Sequence, residues 1–423
     1  MNTSRVAQRL CLVGLVLALA GCGVAAPSGV GTPSIAPSPI RTAAAPATAS
    51  PTPTSPETVR PTLTATPTST TTPEPFPTEA FADIGEGRVS KNVAAQFQAA
   101  LNDMAAGGGM AATVMTSKGM WSGAAGKADG VHDVVVESQF GIGSVTKSVI
   151  AAQVMQLVEA GELSLDDRAT DHLPADFAFD TNRATIRQLL DMRSGIPDWY
   201  GEAMEAEVAK NRTRVWKPAD VLAVVDPARR PAGGAFEYAD TNYNLLGLVI
   251  EHVRQRPLVD VLRDGVLPVE GTERLIYQPD EAPTEPMAMP LGESRDALEK
   301  GGGYLPSLSD ASSAGPAGSI ASDSISLARW WRAFCAGEIV SKASLTEMST
   351  FVGGRDGYGL GLFNPVNDWG LAGVGHTGGN FGFASWAGCM PGDHSVILVV
   401  LANRWVDDLG GLPKPLVMAA RSN

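Results

Sequence analysis

The sequence predicts an α+β fold in which one sheet is assembled from both ends of the folded part and helices are inserted between them. A hairpin pattern at 111–129 and a continuous apolar run at 395–403 place strands far apart along the chain. Helical periodicity at 145–161, 241–254 and 326–336 lies between them. The sheet is therefore expected to form from chain-distant pieces.

The first strands and the first helix follow from local patterns. In AATVMTSKGMWSGAAGKAD, residues 111–129, the alternation around Lys118-Gly119 predicts a hairpin with a turn there. After SVTK, apolar residues recur with a 3.6-residue period, which predicts a helix that Gly161 ends. The apolar positions of this helix are Val145, Val149, Val154, Leu157 and Val158.

The later elements have equally clear patterns. TNYNLLGLVIEHVR predicts a helix from Thr241 to about Arg254, and SLARWWRAFCA predicts another from Ser326 to Ala336. SVILVVLAN at 395–403 is apolar without alternation, which is typical of a central strand covered on both faces.

Residues 1–22 are predicted to be a lipoprotein signal peptide with its lipobox. Arginines precede an apolar run at 10–20, and small residues follow, in the order of a secretory signal. The run is too short to span a bilayer permanently. Leu-Ala-Gly-Cys at 19–22 resembles the lipobox of bacterial lipoproteins, which predicts lipidation at Cys22. The alternative is a plain secreted protein with a chance cysteine.

Residues 23–83 are predicted to be a disordered tether rich in Pro, Thr, Ser and Ala. A stretch such as SPTPTSPETVRPTLTATPTSTTTPEP cannot bury enough apolar surface to offset its ordering entropy. Residues 84–423 contain neither a repeat nor a second linker, so we expect one folded unit. This organisation predicts an extracytoplasmic domain held at a bacterial membrane by its lipid anchor only.

Charge and cysteine content narrow the possible functions. A net charge of −13 argues against nucleic-acid binding, which normally goes with a basic excess. Cys335 and Cys389 are the cysteines of the predicted folded part. They can pair in an oxidising compartment, but nothing in the sequence brings them together, so we expect buried free thiols. No zinc-type spacing of Cys and His occurs, and no metal is predicted.

The stretch FGIGSVTK, residues 140–147, places Ser144 and Lys147 three positions apart at the start of a predicted helix. Side chains at this spacing share one helix face, so the amine can meet the hydroxyl. A serine needs a base to become a nucleophile, and a buried lysine can serve when its pKa is lowered. The alternative is a helix-capping serine beside a surface lysine.

PAGGAFEYADTNYNLLG, residues 231–247, contains the second candidate group. Tyr238 follows a glycine turn, and Asp240 or Thr241 then starts a helix. A phenol between serine and lysine can relay protons and protonate a leaving group. The alternative is a tyrosine packed beneath a loop, with Asp240 as the helix cap.

GVGHTGGNFGFASW, residues 373–386, contains the third group. Its glycines suit an edge strand that a substrate backbone can approach closely, and the Gly379 N–H can complete an oxyanion hole. His376 and Thr377 can hold a substrate carboxylate. The alternative is a flexible hairpin with an exposed histidine.

Together, these motifs resemble those of the serine penicillin-recognising superfamily, in the branch of class C β-lactamases, D-alanyl-D-alanine carboxypeptidases and β-lactamase-like esterases. The family motifs SxxK, YxN and KTG or HTG correspond to SVTK at 144–147, YAD at 238–240 and HTG at 376–378. Other stretches are similar as well: TIRQLLDMRSGIPD at 185–198, SAGPAGSIASDSISLARW at 313–330, YGLGL at 358–362 and VVLANR at 399–404.

The resemblance implies a three-layer α+β sandwich: an antiparallel sheet flanked by N- and C-terminal helices, with an all-α insertion domain. By the match, Ser144 is the nucleophile, and Lys147 and Tyr238 supply base and acid. The substrate is expected to contact Asp240, His376, Thr377, Gly378 and Gly379. The family uses no metal or other cofactor. The expected partner is a small-molecule or peptide acyl donor, and we expect the hydrolase domain to act as a monomer.

The sequence departs from the family pattern at two positions. An ionised Asp240 in place of asparagine cannot donate to a substrate amide carbonyl, and it is expected to raise the pKa of Lys147. We therefore expect weak activity on β-lactams. His376 replaces a lysine, and its hold on a carboxylate is expected to weaken between pH 6 and pH 8 as it loses its charge.

These observations predict a membrane-anchored serine hydrolase that forms a covalent acyl-enzyme. The leading hypothesis is a D-alanyl-D-alanine carboxypeptidase or related hydrolase of the β-lactamase family. A β-lactamase-like carboxylesterase is the alternative within the same class. The alternative of another class is a non-catalytic envelope protein that binds wall fragments.

Overall fold

The computed structural model describes residues 74–291, 302–352, 357–364, 372–380 and 382–422. These residues belong to one compact unit, Thr70–Asn423. The predicted signal peptide, with Cys22, and residues 23–73 of the predicted tether lie outside the described residues.

The strands of the described residues are β1 Gly109–Thr116, β2 Gly119–Gly126, β3 Phe140–Gly141, β4 Ile276–Tyr277, β5 Ile320–Ser322, β6 Val374–Asn380, β7 Phe383–Met390 and β8 Val396–Ala402. The α-helices are α1 Glu79–Ala82, α2 Lys91–Met104, α3 Thr146–Glu159, α4 Ile186–Leu190, α5 Glu202–Lys210, α6 Pro218–Leu222, α7 Thr241–Arg254, α8 Leu258–Asp264, α9 Leu308–Ala314, α10 Ser324–Cys335, α11 Lys342–Met348 and α12 Lys414–Arg421. Short 3-10 turns cover Gly143–Val145, Ala169–His172 and Gly315–Ala317.

The main sheet joins the two ends of the folded unit. Its strands follow the order β2-β1-β8-β7-β6, and every neighbouring pair is antiparallel. Thr113 of β1 thus lies opposite Val399 of β8. The predicted sheet of chain-distant pieces is confirmed, and the glycine-rich strand β6 lies at an edge.

The central strand β8 is covered on both faces. Ile397, Val399 and Leu401 pack in the main core, whereas Leu398 and Val400 pack in a second apolar cluster with α2 and α12. On the main-core face, α10 lies against β1, β7 and β8. Helices α2 and α12, the sheet, and α10 therefore form three layers, and the predicted α+β fold is confirmed.

The helical insertion between the two parts of the sheet also contains strand. Among the described residues, β3, β5 and β4 form a short second sheet in that order, with Gly141 opposite Ala321. This short sheet was not predicted, because strands of two or three residues leave no periodic pattern in the sequence.

The folded part begins before residue 84, the boundary that the sequence predicted. Phe76 and Phe81 are buried in the main core, and the Phe76 N–H donates to Thr346 Oγ1 at 2.9 Å. These two aromatic side chains anchor the end of a segment whose Pro and Thr content is otherwise typical of disorder. The hairpin turn also differs by one residue, since Thr116 lies opposite Gly119 and the loop is Ser117-Lys118.

Cys335 and Cys389 form a disulfide, so the expectation of free thiols is wrong. The bond joins the last residue of α10 to β7, with 6.7 Å between the two Cα atoms. The sheet brings these residues together across 54 positions of sequence, which composition and spacing do not reveal. No helix in the described ranges is both long and apolar enough to cross a membrane.

Candidate active site

Ser144 lies in the 3-10 turn that leads directly into α3. Its side chain caps neither this turn nor the helix, so the alternative of a helix-capping serine is wrong. The side chain is half-buried and accepts a hydrogen bond from Lys147 Nζ at 3.0 Å. The hydroxyl is thus held by the amine three residues later, as the spacing predicted.

Lys147 is fully buried, and its amine lies against several oxygen atoms. It donates to Ser144 Oγ at 3.0 Å and to the Ala317 carbonyl at 2.6 Å, and it forms an ion pair with Asp240 Oδ1 at 2.6 Å. A lysine ammonium only donates, so neighbours that are all oxygen atoms, one of them a carboxylate oxygen, suit its charged form. The arrangement fits a protonated lysine.

The electrostatics of Lys147 agree with this contact pattern. Burial alone lowers the pKa of its amine, but the Asp240 carboxylate and the Tyr238 phenol outweigh burial and raise the pKa above its ordinary value. The structure therefore supports the prediction that Asp240 makes Lys147 a poorer neutral base.

Tyr238 lies beside both groups. Lys147 Nζ is 5.0 Å from the centre of its half-buried ring, which stacks on Phe363 at 6.2 Å. Burial raises the pKa of the phenol to about 12, although Lys147 and a hydrogen bond with Ser144 act in the opposite direction. The phenol is therefore neutral at ordinary pH and is placed to donate or relay a proton.

Asp240 occupies the position before α7, but its side chain does not cap the helix. The carboxylate instead contacts Lys147, and the backbone N–H donates to Asp198 Oδ1 at 3.0 Å. The capping alternative for this residue is therefore wrong.

His376 of β6 is 1% exposed, which excludes the alternative of an exposed histidine. Its Nδ1 lies 2.6 Å from the Thr377 carbonyl, and its Nε2 lies 2.9 Å from the Tyr358 hydroxyl. A carbonyl only accepts, so Nδ1 carries the hydrogen and Nε2 accepts from Tyr358. The ring is held in one neutral tautomer.

Burial, together with the nearby Lys147 ammonium, lowers the pKa of His376 to about 3. The side chain is therefore uncharged between pH 6 and pH 8, and the expected loss of charge in that range is wrong. This burial could not be predicted from local patterns, because Tyr358 and Phe363 reach the imidazole from another segment. Thr377, the next residue along β6, is only half-buried.

Glycines let β6 approach the serine turn closely. A Cβ on Gly378 would lie 2.0 Å from the Ile142 carbonyl oxygen, and one on Gly143 would lie 2.8 Å from Gly379 N. Gly143 also has φ of +51°, which favours glycine. The Gly379 backbone nitrogen is thus placed beside the turn that carries Ser144, as an oxyanion-hole group requires.

The structure brings all the predicted site residues of the folded part to one place, and three further groups join them. The Ala317 carbonyl, the Asp198 carboxyl and the Tyr358 hydroxyl each contact a predicted site residue. They lie in SAGPAGS, SGIPD and YGLGL, stretches that the family resemblance covers but to which it assigned no role. No group of three or more metal-ligating side chains occurs in the described ranges.

A hydroxyl, an amine and a phenol gathered beside a glycine-rich edge strand are the parts of a serine hydrolase. A family model described as Beta-lactamase matches residues 50–419. The chain therefore belongs to the beta-lactamase family.

Individual relatives agree with this assignment. Penicillin-binding protein 4 of Amycolatopsis lactamdurans is 30% identical over 292 residues, which cover 64% of this chain and 73% of that protein. A D-stereospecific amidohydrolase from Streptomyces sp. has a TM-score of 0.64 and 28% identity, covering 77% of this chain and 98% of the other. The D-amino acid amidase from Ochrobactrum anthropi SV3, complexed with D-phenylalanine, has a TM-score of 0.65 and 22% identity, covering 79% and 100%.

Proposed function

We propose that this chain is an envelope-anchored serine hydrolase that transfers acyl groups from peptides or amides of D-amino acids, as a D-alanyl-D-alanine carboxypeptidase does. The observation that carries the proposal is the 3.0 Å hydrogen bond from the buried Lys147 amine to Ser144 Oγ. Ser144 is the proposed nucleophile. Its side chain keeps some exposed surface that a substrate can reach, and the buried Lys147 and half-buried Tyr238 lie beside it to handle its proton.

Acylation requires that the Ser144 hydroxyl lose its proton as the Oγ–carbon bond forms. In the resting site Lys147 is protonated and Tyr238 is neutral, so one proton must first pass from Lys147 to solvent. Lys147 then accepts the serine proton, and Tyr238 passes a proton to the departing amine. The Gly379 N–H is the proposed donor to the developing oxyanion. Water then attacks the acyl-enzyme and releases the acid.

The substrate class is supported by the relatives. One is named a penicillin-binding protein, and the amidohydrolase with 28% identity is described as D-stereospecific. A carboxylate on the substrate would meet Thr377 rather than a charged His376, because that imidazole is buried and neutral. Binding through a neutral hydroxyl suits small acyl donors held mainly by hydrogen bonds.

Asp240 favours a carboxylesterase activity as the second candidate. Its carboxylate pairs with Lys147 and has no hydrogen to offer an amide carbonyl of the substrate. An ester depends less on such a donor, since its alcohol leaves more readily than an amine. Esters are therefore expected to react faster than β-lactams.

The proposed location is outside the cytoplasm, on a lipid anchor at Cys22. The signal-like residues 1–22 and the tether that follows support this proposal. The disulfide between Cys335 and Cys389 is a further argument, because disulfides persist mainly in oxidising compartments.

The proposal is tested by intact-protein mass spectrometry of the full chain, mixed separately with a fluorescent penicillin and a fluorophosphonate. A covalent adduct with the wild type and none with Ser144→Ala is the expected result. Preference for the penicillin would favour wall peptides, and preference for the fluorophosphonate would favour esters. If neither probe labels the wild type, the chain is a non-catalytic envelope protein and the proposal fails.

A further inference from the structure

The loop before α5 holds the segment that carries Asp240. Asp198 Oδ1 accepts the Asp240 N–H at 3.0 Å and the Tyr200 N–H at 3.2 Å. In the other direction, Thr241 Oγ1 accepts the Trp199 N–H and donates to the Pro197 carbonyl, both at 2.9 Å. The loop and the start of α7 are therefore joined by hydrogen bonds in both directions.

This connection leads directly to the nucleophile. Asp198 holds the backbone of Asp240, the Asp240 carboxylate lies 2.6 Å from Lys147 Nζ, and Lys147 donates to Ser144. A carboxyl oxygen that accepts hydrogen bonds from two backbone N–H groups fixes the position of the backbone that carries them. A shift of Asp240 would change the distance on which the protonation of Lys147 depends.

The charge of the Asp198 side chain also depends on pH. Burial and the nearby Asp240 carboxylate raise the pKa of the Asp198 carboxyl well above its usual range, against the opposing effect of Lys147. The charged groups that face it are Asp240, before α7, and Lys147 of α3. When Asp198 ionises, the negative charge near Lys147 increases, and the ammonium is further stabilised.

We propose that Asp198 is a positioning residue that holds Asp240 against Lys147 and thereby governs the reactivity of Ser144. This inference rests on the proposed function, in which Ser144 is the nucleophile. Asp198 itself touches neither Ser144 nor, by this proposal, the substrate. Its effect is therefore expected in the pH dependence of acylation as well as in its rate.

The test compares Asp198→Asn, Asp198→Ala and wild type in the full chain, using the rate of fluorophosphonate labelling between about pH 5 and pH 10. Asn keeps an oxygen for both N–H groups but cannot ionise, whereas Ala removes the acceptor. We expect Asp198→Asn to move the rise of the labelling rate with pH to lower pH, because the Lys147 ammonium loses the stabilising charge of Asp198. We expect Ala to slow labelling by about tenfold or more, because the Asp240 segment is released.

Asp323→Asn is the matched control. Asp323 is a buried aspartate that, like Asp198, accepts a backbone N–H, from Ser326 at 2.7 Å, and it lies outside the site. This variant is expected to label at the wild-type rate with the wild-type pH profile. Thermal unfolding of each variant shows whether it folds.

The outcomes separate this inference from the proposed function. If wild type is labelled and Ser144→Ala is not, the proposed function stands, and the Asp198 variants test the inference alone. A folded Asp198→Asn chain whose rising limb coincides with that of wild type overturns the inference. Loss of wild-type labelling altogether overturns the proposed function instead.

Discussion

The Lys147 amine lies 2.6 Å from the Asp240 carboxylate, inside a site where the same amine donates to Ser144. Lys147 has no exposed surface, so water does not screen this ion pair on the lysine side. The Asp240 carboxylate favours the protonated form of Lys147, the residue proposed to act as the base. In the proposed mechanism, the strength of this ion pair sets how readily Ser144 is activated.

Replacing Asp240 by Asn is expected to increase the rate of acylation by a chromogenic cephalosporin. The carboxylate raises the pKa of Lys147, so its removal lowers that pKa and shifts the rising limb of the rate to lower pH. Each unit of decrease gives about tenfold more neutral amine at a fixed pH below the pKa. Stopped-flow acylation across pH measures the effect. An unchanged or lower rate would contradict this account of Asp240.

Titration of His376 is expected to leave KM for a carboxylate-bearing substrate unchanged between pH 6 and pH 8. Its pKa of about 3 means that the imidazole stays neutral throughout this range. Imidazole 15N chemical shifts should report one neutral tautomer, with hydrogen on Nδ1. A histidine resonance that titrates near pH 6.5 and is absent from His376→Asn would show the prediction to be wrong.

Tyr358→Phe is expected to disturb the neutral tautomer of His376 while keeping the packing of the ring at position 358. The phenol donates to His376 Nε2 at 2.9 Å, while its ring packs edge-on against Phe363 at 4.7 Å. The variant should shift the Nε2 resonance and slow acylation by a few-fold. Phe334→Leu, a buried aromatic change in α10, is a control for packing alone. Unaltered imidazole shifts in Tyr358→Phe would argue against the hydrogen bond.

Loss of the disulfide is expected to destabilise the folded unit. The bond closes a loop across 54 positions, and the entropy of such a loop predicts a loss of about 4 kcal/mol in the free energy of unfolding. Urea unfolding of the double variant Cys335→Ser/Cys389→Ser measures this difference. Reductant should lower the stability of the wild type and leave the double variant unchanged. Equal stability of the oxidised wild type and the double variant would contradict the prediction.

Cys22→Ser is expected to release the chain from the membrane fraction of a bacterial host. The reason is that the lipid would be attached to this residue, and the apolar run at 10–20 is too short to anchor the chain permanently. Incorporation of labelled palmitate and fractionation of cells measure the change. Cys11→Ser keeps the second cysteine and should behave as wild type. Membrane retention of Cys22→Ser would refute the anchor.

Much of the fold was predictable because its elements have regular local patterns. Helix α7 runs from Thr241 to Arg254 as its periodicity indicated, and β8 is apolar on both faces as an unbroken apolar run requires. Ser144 and Lys147 meet because a spacing of three residues in a helical turn brings side chains together. These relationships depend on residues within a few positions of one another, so they could be predicted from the sequence.

The remaining relationships depend on the path of the chain through space. Asp198 meets Asp240 across 42 positions, and Cys335 meets Cys389 across 54, and no local pattern encodes either contact. The charge of His376 likewise depends on Tyr358 and Phe363, which bury it from another segment. The residue types of the site are thus set by the sequence, whereas their protonation states are set by packing, because desolvation and nearby charge control pKa.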